Sequence, residues 1–428
     1  MKNFFKMEES ELREELRSLR EKYAAYKEKD LHLDMTRGKP CPEQLDAVSD
    51  LIAVLDTGDY RTAKGDDCRN YGLPLGIREA RELFAGILHT TADRVIVGNG
   101  SSLTMMHDTL VRSVLFGEVD SKCPLSQETK RKWICPVPGY DRHFLVTETL
   151  GFTMIPVALT EDGPDMDTVE KLVAEDSAIK GMWCTPLYSN PDGFVYSPEV
   201  CERLASMKTA AADFRIFWDN AYVVHHLFED RRESIPDILA LCEKAGNPNR
   251  VYEFASTSKI TFPGSGISCM AANPDNIAHT GKYLSVQTIG PDKMNELRHV
   301  RYLSEPGAVE KIMKKHAEII RPKFEITMKI LERELEPAGF ARWHRPQGGY
   351  FISLFVYPGT AKEVVALAKE AGVALTPAGA TYPYRADPRD ENIRIAPTFP
   401  TIRDVEEAIG VLCVCAKIAM AQKRTEEF

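Results

Sequence analysis

The chain is predicted to be an α/β protein: a three-layer large domain with a mostly parallel sheet covered by helices on both faces, joined to a smaller α+β domain. Three observations predict it. From about residue 72, short apolar runs alternate with helical stretches, the order that βαβ units require. Those runs are rich in Val, Ile, Phe and Trp throughout, as in strands buried on both faces, and do not alternate with polar residues. At 428 residues the chain also exceeds what one hydrophobic core usually holds.

The elements follow in order. In "MKNFFKMEESELREELRSLREKYAAYKEKD", Leu12, Leu16, Leu19 and Tyr23 recur at helical spacing, so an amphipathic helix is expected to lie on another element. The segment lacks the apolar centre of a signal peptide. A Gly/Pro-rich entry, "TRGKPCPEQ", comes next. "GIREARELFAGILH" reads as a helix, "DRVIVGNG" as a strand and turn, and "SSLTMMHDTLVRSVLF" as a helix. "KWICPVPGY" is a strand leaving through prolines. "FTMIPVAL", "IKGMWCTPL", "FRIFWDNAY", "RVYEFAST" and "GISCMAAN" are further strands. From about residue 305 a long helical stretch precedes "ARWHRPQGGYFISLFV", a helix, strands near "VALTPAG" and "NIRIAPT", and a final helix. The expected division is 1–55, a segment packing with the small domain; 56–304, the large domain; and 305–428, the small domain.

Composition excludes some functions. A net charge of −9 argues against broad contact with nucleic acid or acidic membranes, since both need a basic surface. No stretch is long and apolar enough to span a bilayer. The ten cysteines form no paired C-x-x-C pattern, so they read as reduced thiols of a cytoplasmic protein and not as metal ligands. The doublet His225-His226 lacks a spaced third ligand, and no metal site is expected.

In a parallel sheet, ligands bind beyond the carboxyl ends of the strands. Gly98, Gly100, Ser101 and Ser102 open a helix there, where orphan N–H groups and hydroxyls suit an anion. Leu103 stands where a dinucleotide fingerprint needs glycine, so a lone phosphate fits better than NAD; an ordinary helix cap is the alternative. Tyr140 follows a Pro-Gly turn, where an aromatic face could cover a flat ligand or simply join the core. Asn190 lies in an N-P-x-G turn after a strand. Asp219 and Tyr222 end an aromatic strand, where a desolvated carboxylate needs a cation unless it caps a helix. Lys259, in "STSKITFPGSG", follows another apolar strand. A lysine desolvated there loses its proton readily and becomes a nucleophile. Nucleophilic lysine, phosphate cradle, carboxylate and stacking aromatic together suit pyridoxal 5′-phosphate. The lysine would bond its aldehyde, Asp219 would face the pyridine nitrogen, and Asn190 and Tyr222 would bond the ring oxygen.

The motifs "SNPDG", "DNAY" and "STSK", with "YGLPLGIREAR", "PVPGYDRHF" and "NIRIAPT", resemble those of the fold-type I, class I aminotransferases over essentially the whole chain from about residue 31. "DMTRGKPCPEQL", "CRNYG", "GNGSSL" and "TSKITFPGSG" are similar to the type Ic aspartate aminotransferases. The resemblance implies that Lys259 is the Schiff-base and proton-transfer residue, that Asp219 pairs with the pyridine nitrogen, that Tyr222 and Asn190 contact the ring hydroxyl, and that Tyr140 stacks on the ring. It implies that Gly100, Ser101, Ser102 and Ser256 hold phosphate. Tyr71 would reach the neighbouring subunit's phosphate, making a homodimer with shared active sites. Arg394 would grip the substrate α-carboxylate, and Gly38 would lie against the substrate. One departure stands out. Where the common family carries a phosphate-binding arginine, this chain has Gly264-Ser265-Gly266-Ile267; Ser258 and Thr261 are possible helpers.

The expected activity is transfer of an amino group between aspartate or glutamate and a 2-oxo acid, 2-oxoglutarate or oxaloacetate, in a ping-pong cycle. A distal carboxylate needs a second cation, for which Arg37, Lys39 and Arg69 are candidates. The alternatives are another amino donor (alanine, or an aromatic such as kynurenine), a β-lyase or decarboxylase on the same scaffold, and a non-catalytic sensor like that of a transcription regulator. The residues before "HLDMTRGKP" show no winged-helix pattern, which disfavours the last.

Overall fold

A computed structural model describes residues 3–56 and 58–427. The first strand, β1 (Leu33–Asp34), belongs to the smaller part of the molecule. Eight strands then build the main sheet: β2 (Val95–Asn99), β3 (Lys132–Val137), β4 (Thr153–Thr160), β5 (Gly163–Pro164), β6 (Ile179–Cys184), β7 (Arg215–Asp219), β8 (Val251–Ser256) and β9 (Ile267–Ala271). Their spatial order is β2-β9-β8-β7-β6-β3-β4-β5. The run β8-β7-β6-β3-β4 is parallel. Strand β9 is antiparallel to both β8 and β2, so β2 points the same way as the parallel run. Strand β5 folds back on β4 as a short edge.

Strand side chains alternate between faces, and here each face has its own core. Ile216 and Trp218 join one core while Phe217 joins the other; Met182 and Trp183 divide likewise. Helices Arg78–Ile87, Met166–Glu175, Pro198–Ser206 and Ile238–Lys244 bury apolar residues against the first face. Helices Ser102–Phe116, Asp141–Thr149 and Pro274–Gln287 cover the second. This is the three-layer arrangement expected from the sequence. Two residues that weaken a central strand have visible reasons. A Cβ on Gly181 would lie 2.4 Å from the indole of Trp133, so glycine makes room for that ring. Pro136 lies past Ile134, the last residue of β3 in register with β6.

The smaller part holds β10 (Arg342–Trp343), β11 (Ile352–Phe355), β12 (Val373–Ala374) and β13 (Asn392–Ile395). Strands β10-β11-β13 form an antiparallel sheet, and β12 pairs in parallel with β1. The N-terminal helix Glu9–Lys27 buries Leu12 and Leu19 in the same core as the closing helix Ile402–Glu426. Helix Ala308–Glu334 runs on through Pro322, which has no N–H to give the preceding turn. Among the described residues no helix is long and apolar enough to cross a membrane.

Candidate active site

Because β2, β3, β6, β7 and β8 share one direction, their carboxyl ends lie along one edge of the sheet. The loops after them bring Ser101, Tyr140, Asn190, Asp219, Tyr222 and Lys259 to that edge. Across it stands β13 of the smaller part, carrying Arg394.

Asp219 is the last residue of β7, in register with Phe254 of β8. No helix begins at Asp219, so it is not a cap. It is buried, and its Oδ2 lies 2.9 Å from His143 Nε2. With the carboxylate ionised, Nε2 is the donor. The imidazole is stacked on Trp183 at 4.3 Å and 9°. The other oxygen, Oδ1, is sealed and has no partner among the described residues. A buried acceptor with no donor is costly in an isolated chain, and it marks where a ligand donor belongs.

Lys259 is half-buried, with Nζ 5.1 Å from the ring centre of Tyr222 and 5.8 Å from that of Tyr350. Burial holds its pKa below the ordinary lysine value, and the charge of Asp219 opposes that shift. Tyr222 stacks on Tyr350, whose hydroxyl accepts a 2.9 Å bond from Gln44. Burial raises all three tyrosines here, Tyr222 and Tyr350 above their usual range and Tyr140 to about 12. His225 packs against Tyr222 and Tyr350, whereas His226 turns away to the Tyr188 hydroxyl.

The anion corner is built from backbone and hydroxyls. Ser101 occupies the cap position of helix Ser102–Phe116, but its side chain makes no capping bond. Gly100 adopts a φ of +78°, and its N–H donates to the Gly266 carbonyl at 3.1 Å. Ser256 and Ser258 bring their hydroxyls within 3.1 Å of each other. Thr261 is engaged elsewhere, bonded to the Thr257 carbonyl and to His299.

Arg394 is 6% exposed. Its Nη1 donates to Asp141 Oδ1 at 2.8 Å and to Asn190 Oδ1 at 3.4 Å, and its Nη2 to Thr376 Oγ1 at 3.2 Å. Its Nε is buried without a partner among the described residues. The guanidinium lies 4.9 Å from the Phe351 ring centre. It opens on a cleft of about 430 Å³ lined by Arg37, Gly38, Lys39, Tyr140, Arg142 and Phe351. A Cβ on Gly38 would lie 2.6 Å from the Phe351 ring, so glycine is required for this close approach. Lys39 rests over Phe399 at 3.8 Å. Arg69 does not line the cleft; both oxygens of Asp67 hold it, at 2.9 and 2.6 Å. Tyr71 stands apart from these groups and is 80% exposed. A larger groove, about 730 Å³, contains none of the converging groups.

His143, Asp141, Thr376 and Tyr350 escape a reading of the sequence alone. His143 and Asp219 are 76 residues apart, and only the order of the strands brings them together.

The comparisons agree along nearly the whole chain. The family model described as "Aspartate amino-transferase" matches residues 7–427. An aspartate aminotransferase of Corynebacterium glutamicum is 47% identical over 94% of this chain and 93% of its own length. A crystal structure of an aspartate transaminase from the same species superposes with a TM-score of 0.96 at 45% identity, covering 98% of this chain and 99% of that one. An α-aminoadipate aminotransferase of Thermus thermophilus, complexed with N-(5′-phosphopyridoxyl)-L-leucine, shares the fold at a TM-score of 0.71 and 20% identity, covering 92% and 93%. With the edge-of-sheet site and these matches together, the chain belongs to the aspartate aminotransferase family and is an aminotransferase.

Proposed function

We propose that the protein binds pyridoxal 5′-phosphate at the sheet edge and moves amino groups between aspartate or glutamate and 2-oxoglutarate or oxaloacetate. The observation that carries the reading is Asp219: one oxygen fixed by His143, the other sealed and unpartnered, on the same strand edge as a half-buried lysine. A protonated pyridine nitrogen is the donor that the free oxygen lacks. Gly100, Ser101, Ser102 and Ser256 would hold the phosphate, with Ser258 beside them. Tyr140 would cover the ring, and Asn190 and Tyr222 would meet its hydroxyl. Bound there, the cofactor supplies an electron-withdrawing ring that stabilises charge at the substrate Cα. Lys259 Nζ would hold it covalently and, when displaced, take and return the Cα proton. Arg394 would bind the α-carboxylate, exchanging its bond to Asp141 for one to substrate.

The dicarboxylate preference rests on the cations at the cleft and on the activity named for the C. glutamicum relative. Arg37 is the proposed partner of the distal carboxylate. It lines the cleft and its side chain has no hydrogen-bond or ion-pair partner among the described residues, whereas Lys39 is stacked and Arg69 is paired. We also infer a homodimer, because Tyr71, Val286 and Ile289 are 80%, 86% and 64% exposed. The domain division at residues 55 and 304 and a cytoplasmic setting, supported by ten unpaired cysteines, complete the proposal.

The test is half-reaction kinetics of the cofactor-loaded protein, followed by absorbance, against a panel of amino acids. Aspartate and glutamate should react fastest. Alanine or an aromatic amino acid far ahead would overturn the specificity alone. Product formed without any oxo-acid acceptor would indicate a lyase.

Two variants probe the cleft. Arg394→Lys keeps the charge but loses the planar two-point grip. It is expected to raise KM for every amino donor by roughly 10- to 100-fold, the scale of a lost charged hydrogen bond. Steady-state kinetics with aspartate and alanine would check it, and a rise for aspartate only would show that Arg394 serves the distal end. Gly38→Ala drives a methyl into the Phe351 ring, which lies 4.9 Å from the Arg394 guanidinium and must shift to admit it. A displacement near 1 Å can cost ~100-fold in rate, so kcat/KM should fall at least about tenfold. Unchanged kinetics would mean that the ring yields freely.

A further inference from the structure

Lys293 opens helix Lys293–Leu303 and is 3% exposed. Its Nζ donates to the Asn70 carbonyl at 2.5 Å and to the Gly72 carbonyl at 3.1 Å. These two carbonyls flank Tyr71. Three residues on, the fully buried Glu296 accepts the Ile77 N–H at 2.7 Å. Neighbouring side chains on one helical turn thus hold both ends of segment 70–77. Gly290, just before the helix, approaches so closely that a Cβ there would lie 2.3 Å from the Gly72 oxygen.

Burying an ammonium is costly unless acceptors compensate it, and here two backbone carbonyls do. They fix a loop whose tip residue, Tyr71, is 80% exposed. The Tyr71 ring makes no hydrogen bond and no ring contact among the described residues. A tightly built support under a side chain left 80% exposed suits that side chain to a contact outside its own chain.

We propose that Lys293 is a positioning residue that acts in trans, fixing Tyr71 so that it completes the anion corner of the neighbouring protomer's site. The inference rests on the homodimer proposed above, with its active sites shared through Tyr71 as the sequence resemblance implies. A competing route runs in cis. Asn295, on the same turn, donates to the carbonyls of Ser265 and Gly266 at 3.1 Å each. Gly266 in turn accepts the Gly100 N–H of the chain's own anion corner. A disturbed helix start could therefore weaken the chain's own site.

Hybrid dimers separate the two routes. Two tags allow mixed dimers to be purified, and the absorbance of lysine-bound cofactor reports only a site that has Lys259. The Lys293→Met homodimer should release cofactor roughly tenfold more readily, the scale of one hydrogen bond to a charged group. In a hybrid of Lys259→Ala with Lys293→Met chains, the one lysine-bearing site receives Tyr71 from the chain with intact Lys293, so it should retain cofactor like wild type. In a hybrid of wild type with a Lys259→Ala/Lys293→Met chain, the lysine-bearing site receives the loosened Tyr71 and should show the defect. The opposite pattern, equal defects in both hybrids, or an unimpaired homodimer would overturn the proposal. Gly290→Ala presses on the same carbonyl and leaves the ammonium in place, so it carries the test through the same pairings should Lys293→Met fail to fold. Tyr71→Phe in those pairings distinguishes the two readings. No trans effect of Tyr71→Phe rejects the shared site itself, whereas a trans effect of Tyr71→Phe without one of Lys293→Met rejects only the role of Lys293.

Discussion

Replacing Lys259 by alanine is expected to lower kcat/KM for every amino donor by at least roughly 10⁴-fold, the upper range for loss of one positioned acid–base group. The reason lies in where the residue sits. Its Nζ is set against the rings of Tyr222 and Tyr350, and burial favours the neutral amine, the form that can attack a carbonyl or accept a proton. The charge of Asp219 opposes that shift without reversing it. Lys39, which lines the adjoining cleft, is engaged over the Phe399 ring at 3.8 Å. Two readouts should therefore fail together: the absorbance of covalently held cofactor and the single-turnover conversion of aspartate. A Lys259→Ala protein that kept both would refute the assignment of the lysine, whatever its stability.

What the sequence made legible follows from the physics of strands. A strand buried on both faces must be apolar along its length, so Ile179–Cys184 and Arg215–Asp219 stand out. Because ligands gather beyond the carboxyl ends of parallel strands, the polar residues after them are the ones to examine. Lys259, Asp219 and Asn190, which the structure places at that edge, are picked out as candidates in this way. Residues that act through a contact across the fold are not. His143 follows Tyr140 by three positions in an ordinary helix, and nothing local distinguishes it from a core histidine. Thr376 reaches Arg394 from an irregular segment after β12, and Lys293 looks like any lysine opening a helix. The ambiguity of Ser101 is different. The backbone puts it at a cap position, as a plain reading expects, but the side chain leaves the capping bond unmade. The route of Ala308–Glu334 through Pro322 shows tertiary packing prevailing over a local penalty.

Asp219→Asn is expected to be nearly as damaging as loss of the lysine, for an electrostatic reason. An ionised carboxylate sealed from water is stable only if both oxygens find donors. His143 satisfies one at 2.9 Å and the other waits. A protonated ring nitrogen would complete the set, and the negative charge would in turn keep that nitrogen protonated. Asparagine preserves the shape but removes the charge. Breaking a buried ion pair typically costs about 3–5 kcal/mol, which is roughly 10²- to 10⁴-fold in rate when it is felt in the transition state. His143→Gln leaves the charge in place and replaces the imidazole behind it by a flexible neutral amide, which can hold the carboxylate only more weakly. The expected loss is smaller, about tenfold, in line with one charged hydrogen bond. The order of the two variants is the informative result. Measured on cofactor-loaded protein with aspartate, kcat should fall much further for Asp219→Asn than for His143→Gln, and the visible spectrum of the bound cofactor should become pH-dependent in the former. If His143→Gln proved the more harmful, or if Asp219→Asn retained the wild-type rate, the carboxylate would be no more than a fixture for the imidazole, and the charge that the proposed chemistry needs would have to come from somewhere else.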